Sequence, residues 1–138
     1  RVNRERSARD LAPLRQSRTL QQAAYRKARS LVRAQYFGHV FGNQSLRQSL
    51  GVRARFTHLG ENLALGFAGA RPAVRGFMAS TPHRRNLLSQ RYTHVGVAVV
   101  DGYFYGKRTT LVVQVFGRQH NVQPRPEIRL AKAKVRMV

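Results

Sequence analysis

At 138 residues and 15.7 kDa the chain is sized for one domain, and at 42% hydrophobic it can bury a substantial core. It contains no cysteine, which excludes a disulfide scaffold, Cys-ligated zinc, iron–sulfur clusters and a thiol nucleophile. Against 26 Lys and Arg it carries 5 Asp and Glu, a net charge of +21, and since the lysines are 27, 107, 132 and 134, 22 of the cations are arginine. That balance favours polyanionic partners such as nucleic acid, anionic lipid or acidic envelope polymers, without choosing among them, and it is equally a bias of a solvated surface.

In chain order, Val2–Asp10 reads as a short charged helix that Pro13 ends. Ser17 or Thr19 can cap the next helix, and Leu20, Ala23, Ala24, Ala28, Leu31 and Val32 recur at helical spacing up to about Gln35. Arg26, Lys27, Arg29 and Arg33 are expected mostly on its wet side, and Gly38 is expected to close it. Ser45–Leu50 reads as a short helix closed by Gly51, and Leu63–Phe67 as a small strand. Pro72 suits the first turn of a helix with Ala73, Val74, Phe77 and Met78 as its apolar face, and Pro82 opens another through Leu88. Val95–Val100 and Leu111–Phe116 are apolar β-branched runs, read as buried strands joined through Asp101-Gly102 and a polar loop. From 118 to 138 a Pro-containing basic extension follows the domain at 1–117. Helices first and strands last predict an α+β sandwich, and no apolar run is long enough to span a membrane.

Between Asp10 and Glu127 only two acids occur, Glu61 and Asp101. Asp101 has a turn explanation beside Gly102. Glu61, between Gly60 and Asn62, has none, so an acid held there in a chain that avoids acids is expected to have a partner. His39 follows a helix end and His83 begins a short helix. Two imidazoles and a carboxylate match an open three-ligand zinc site with water in the fourth position. The same Glu61 also fits a structural pin that accepts hydrogen bonds from a histidine or from amides. His58, His94 and His120 read as structural or exposed, and Tyr103-Phe104-Tyr105 with Lys107-Arg108 as a basic-aromatic loop that packs at a strand edge or stacks on bases or sugars. Ser80 and Thr81 lie near His83 without a nucleophile elbow around them.

Five stretches resemble, in order, the bacterial branch of the CAP superfamily, that of cysteine-rich secretory proteins, antigen 5 and pathogenesis-related protein 1, also called the SCP domain. They are residues 2–6 with Leu11-Ala12-Pro13-Leu14, Tyr36-Phe37-Gly38-His39, Gly60-Glu61-Asn62-Leu63-Ala64, the block from Ala73 to Leu88, and 92–99 with 113–117. The resemblance implies a three-layer α-β-α sandwich with a small antiparallel sheet between helices. It implies a central cleft lined by His39, Glu61 and His83, their side chains within about 4–8 Å of one another. Some family members bind a divalent metal there, and no general reaction is established for the family. Animal and plant members carry a second glutamate and a histidine in the blocks occupied here by residues 80–83 and 91–92, where this chain has Arg91. Phe77 stands where the bacterial pattern has Trp.

The expectation is therefore a secreted or surface-tethered domain acting mainly by binding an envelope polymer, a lipid or a surface protein, with a divalent metal, zinc first, on His39, Glu61 and His83. The chain opens on Arg1, so a signal or anchor segment is expected ahead of it. Two alternatives stand beside this: a metal-dependent hydrolase with Glu61 as general base, and a sequence-blind nucleic-acid or polyanion binder driven by the arginines.

Overall fold

The computed structural model describes residues 1–52 and 55–119. Five helices and four strands follow one another as α1 (Val2–Ser7), β1 (Arg15–Gln16), α2 (Arg18–Ala34), α3 (Leu46–Leu50), β2 (Phe56–Leu65), α4 (Ala70–Met78), α5 (Thr81–Leu88), β3 (His94–Phe104) and β4 (Lys107–Gln119). The sheet order is β1-β3-β4-β2, with β3–β4 and β4–β2 antiparallel and the two-residue β1 parallel to β3. The sheet is thus mixed at one edge, where an antiparallel one was expected.

Side-chain alternation along the strands divides the core in two. Leu63, Ala98, Leu111, Val113 and Val115 face Leu20, Ala23, Ala24, Ala28 and Leu31 of α2. Ala64, Val95, Val112 and Phe116 face Val2 of α1, Ala73, Val74 and Phe77 of α4, and Leu87 of α5. Helices on both faces of one sheet make the three-layer α-β-α sandwich. Gly96 lets α2 approach the sheet, because a Cβ there would stand 2.2 Å from the backbone of Leu20 and Gln21.

Several boundaries differ from expectation for local reasons. Ser17 caps α2 through Leu20 N, but the helix ends at Gln35 in the left-handed region (φ 51°) rather than at Gly38. α3 forms as expected between a reciprocal Ser45–Gln48 cap and Gly51 at φ 66°. α1 stops at Ser7, three residues early, whereas Pro72 lies in the first turn of α4 as expected. β2 begins at Phe56 and ends at Leu65, because nine of its residues pair with β4. Asp101-Gly102 is not the β3–β4 turn. Both residues lie inside β3, opposite Thr110 and Thr109, and the turn falls at Tyr105-Gly106. Asp101 instead accepts a hydrogen bond from Thr110 Oγ1 at 2.8 Å across the ladder. β4 runs on through Arg118 and Gln119, and the rest of the expected C-terminal extension lies outside the described residues.

Candidate functional site

β2 is an edge strand, so groups on its two faces can meet around it. Glu61 projects to the α2 face and Asn62 to the opposite face, beside α5. Gly60, just before them, must lack a side chain, since a Cβ would stand 2.2 Å from the Tyr92 hydroxyl and 3.1 Å from Asn86 Oδ1.

On the α2 face the Glu61 carboxylate is wholly buried and has two partners. Its Oε1 accepts a 2.7 Å hydrogen bond from His39 Nδ1. Its Oε2 lies 3.6 Å from Lys27 Nζ, an ion pair in which both side chains are fully inaccessible, and Oε2 receives no hydrogen bond. Lys27 was expected on the wet side of α2 and is instead in the core. Its position explains this: 20, 24, 27 and 31 form one stripe of the helix, and Lys27 is the cation on it. Its ammonium donates to the His39 carbonyl and, at 2.5 Å, to Ser49 Oγ, while Ser49 Oγ donates to the same carbonyl at 3.0 Å. Burial pushes the Lys27 ammonium below its ordinary value, and Glu61 opposes that shift.

On the α5 face, Asn62 Nδ2 donates to the His83 carbonyl at 3.1 Å and Asn86 Nδ2 donates to the Glu61 carbonyl at 3.1 Å and to Asn62 Oδ1 at 2.9 Å. These bonds tie the start of α5 to β2 at the level of Glu61. His83 Nδ1 shares a 2.9 Å hydrogen bond with Ser80 Oγ, and its ring packs on Phe77 with centroids 5.1 Å apart. Burial lowers the His83 imidazole below its ordinary value, and positive charge at His39 lowers it further.

His39 and Glu61 are joined by a direct hydrogen bond, closer than a bridging ion would place them. His39 keeps 55% of its side-chain surface exposed while its Nδ1 is held, so Nε2 is the nitrogen left for an outside partner. His83 is arranged alike, with Nδ1 on Ser80. Each ring is thus engaged at Nδ1, which leaves Nε2 as the nitrogen for another partner. Glu61 as a direct ligand fits less well, with Lys27 beside its free oxygen. Among the described residues no three His, Asp or Glu side chains form a ready ligand cluster. Of the other histidines, His94 is buried with Nδ1 on Thr93 Oγ1, His58 is exposed beside Thr57, and His120 lies outside the described residues.

A family model described as CAP, cysteine-rich secretory protein family, matches residues 1–116. Two Bacillus subtilis proteins are similar at 32% identity: the uncharacterised YkwD over 104 residues (72% of this chain, 40% of that one) and the uncharacterised membrane protein YlbC over 97 residues (68% and 28%). The chain thus spans less than half the length of either relative. Among solved structures, an outer surface protein of Borrelia burgdorferi superposes with a TM-score of 0.76 at 19% identity, covering 86% of both chains. An extracellular SCP-domain protein of Bacillus anthracis superposes at 0.68 and 25% identity, covering 86% of this chain and 38% of that one.

Proposed function

The chain belongs to the CAP, or cysteine-rich secretory protein, family, and from that premise we propose that it is an envelope-facing binding domain. In this reading it works outside the cell, and His39 and His83 together hold a divalent cation, zinc first, with solvent or a ligand group completing the coordination. The extracellular and outer-surface character of structurally similar proteins supports the location. No helix among the described residues is long and apolar enough to cross a membrane.

The observation that carries the site is the buried Glu61 carboxylate, bonded to His39 Nδ1 at 2.7 Å. In this reading Glu61 is not a ligand. It fixes the tautomer and the direction of His39. The same burial argues for binding over hydrolysis. A general base must reach the water it activates, and Glu61 has both oxygens turned to His39 and Lys27 within the protein.

Zinc titration by calorimetry tests this. His39→Ala and His83→Ala should each abolish binding, and Glu61→Gln should weaken it about 10–100-fold, the range for loss of an outer partner. Equal zinc uptake by the wild type and His83→Ala would sink the metal site and leave Glu61 as a structural pin. Glu61→Gln that binds as tightly as wild type would remove its orienting role.

A further inference from the structure

The far end of the β3–β4 hairpin carries aromatic rings that stay largely exposed, with Tyr105 meeting Phe104 edge-on at 6.1 Å between centroids. Tyr103 is 60% exposed and Tyr105 73%. Phe104 between them is buried and anchors the tip against the α2 layer. The tip is also tied sideways to the end of α2: Gln35 Nε2 donates to the Tyr103 carbonyl at 2.7 Å, and Tyr105 N donates to Gln35 Oε1 at 2.8 Å. Gln35 is followed at once by Tyr36 and Phe37, each 41% exposed. One glutamine thus joins the hairpin that carries Tyr103 and Tyr105 to the segment that carries Tyr36 and Phe37, where the Tyr36 ring packs on Phe41 with centroids 4.9 Å apart.

Two further features mark this end. Tyr105 and Gly106 both adopt positive φ, 51° and 81°, as a two-residue hairpin turn requires. Asn or Asp is the ordinary choice for the first position, and tyrosine there has neither backbone ease nor burial to favour it. The aromatics are also interleaved with cations: Arg33 in the last turn of α2, Lys107 opposite Phe104, and Arg108 opposite Tyr103, all exposed. The nearest acid on the hairpin, Asp101, is engaged by Thr110.

We propose that this end of the molecule is a docking surface for a bilayer containing anionic phospholipid. The tip of a hairpin is convex, and it offers an extended partner no groove to thread. It suits a plane. Tyrosine favours the headgroup region, where its ring is half in contact with hydrocarbon and its hydroxyl is wet, and flanking Lys and Arg gain from the negative surface potential. The tip is remote from Glu61 along the sheet: Val115, which pairs with Glu61, is eight residues, about 27 Å, from Lys107 along β4. The proposal stands whether or not the cleft takes a metal.

The chain contains no tryptophan, so Tyr105→Trp supplies a single emitter at the tip. With vesicles of phosphatidylcholine and phosphatidylglycerol its emission should shift to the blue and be quenched by brominated acyl chains. Tyr25→Trp, on α2 about 15 Å before Gln35, should show neither. Tyr103→Ser with Tyr105→Ser leaves the charge unchanged and should weaken vesicle binding about tenfold or more, as loss of interfacial anchors predicts. The proposal is overturned if the Tyr105→Trp protein binds vesicles with no change in its emission, or if the Tyr25→Trp protein responds equally. It is also overturned if heparin or duplex DNA shifts the emission of the Tyr105→Trp protein as far as vesicles do. That last outcome would assign the surface to soluble polyanions.

Discussion

Two cations are almost fully buried among the described residues, Lys27 and Arg6, and the fold treats them in opposite ways. Arg6 has no carboxylate partner among the described residues. Its guanidinium donates to the carbonyls of Ala12 (2.8 Å), Leu87 (2.9 Å) and Ser89 (2.9 Å). Leu87 and Ser89 end α5, where the helix dipole places partial negative charge, so Arg6 fastens α1 to that end. Burial lowers its affinity for the proton, and nothing opposes the shift. Lys27 stands beside Glu61, the one acid buried among the described residues, and that acid keeps an oxygen without a hydrogen bond. A chain needing only to bury a cation has the Arg6 solution available. A chain that must hold a carboxylate ionised in the interior, to grip His39, needs a cation beside it, and Lys27 supplies it.

Removing each cation separates the two cases. Lys27→Met strands the Glu61 charge in the core and should cost about 3–5 kcal/mol, the usual penalty for breaking a buried pair. Adding Glu61→Gln should restore most of that loss, because replacing both partners of such a pair is often neutral. Arg6→Met leaves three carbonyls without their donor, of which the Leu87 bond is buried and the Ala12 and Ser89 bonds part-buried, so the cost should come mainly from the one buried carbonyl, about 1–3 kcal/mol. Urea unfolding of the four proteins reads all of this. A Lys27→Met loss that Glu61→Gln fails to repair would mean that Lys27 serves Ser49 and the His39 carbonyl rather than the carboxylate.

Both cations could be placed from the sequence only by helix geometry. Lys27 continues the stripe of 20, 24 and 31, and Arg6 lies one turn from Val2 on the buried side of α1. Treating charge as a mark of the wet face put Lys27 outside. What was legible had a local cause: the cap at Ser17, the short helix that Gly51 stops, the β-branched runs of β3 and β4, and an acid at 61 that wanted a partner. The hairpin turn was missed because Asp101-Gly102 is a strong turn signal and Tyr105-Gly106 a weak one. There, cross-strand pairing from 94 to 104 outweighed local preference. The convergence of His39 with Glu61 came from family resemblance, since no spacing rule joins segments 22 residues apart.

A third change probes the α5 side of the same strand. Gly60→Ala would drive a Cβ into the Tyr92 hydroxyl and toward Asn86. Tyr92 is stacked on Phe116 at 5.4 Å and cannot retreat freely. Overpacking of this kind should cost about 1–3 kcal/mol. It should also displace Asn86, whose amide holds the Glu61 carbonyl. Gly60→Ala with Tyr92→Phe, which removes the clashing oxygen, should recover part of the loss. If Gly60→Ala is as stable as wild type by urea unfolding, the α5 contact is not a constraint on Glu61.

The smallest effect tests whether Tyr92 is as enclosed as that argument requires. Burial raises the Tyr92 phenol above its ordinary value of 10.0, with Arg91 pulling the other way, and its hydroxyl donates to Asn86 Oδ1 at 3.3 Å. In the unfolded chain the phenol gives up its proton near 10, whereas in the folded protein it keeps it to higher pH. Between those two values the folded state binds more protons than the unfolded one, so stability must fall as pH rises. Well below about pH 10 both states hold the proton and Tyr92 contributes no slope. Tyr92→Phe should therefore show the same pH slope as the wild type near about pH 8 and lose less stability than it between about pH 10 and 11. Parallel slopes for the two proteins would place the phenol in solvent. The contact that makes Gly60 obligatory, and through Asn86 steadies the strand under Glu61, would then be absent in solution.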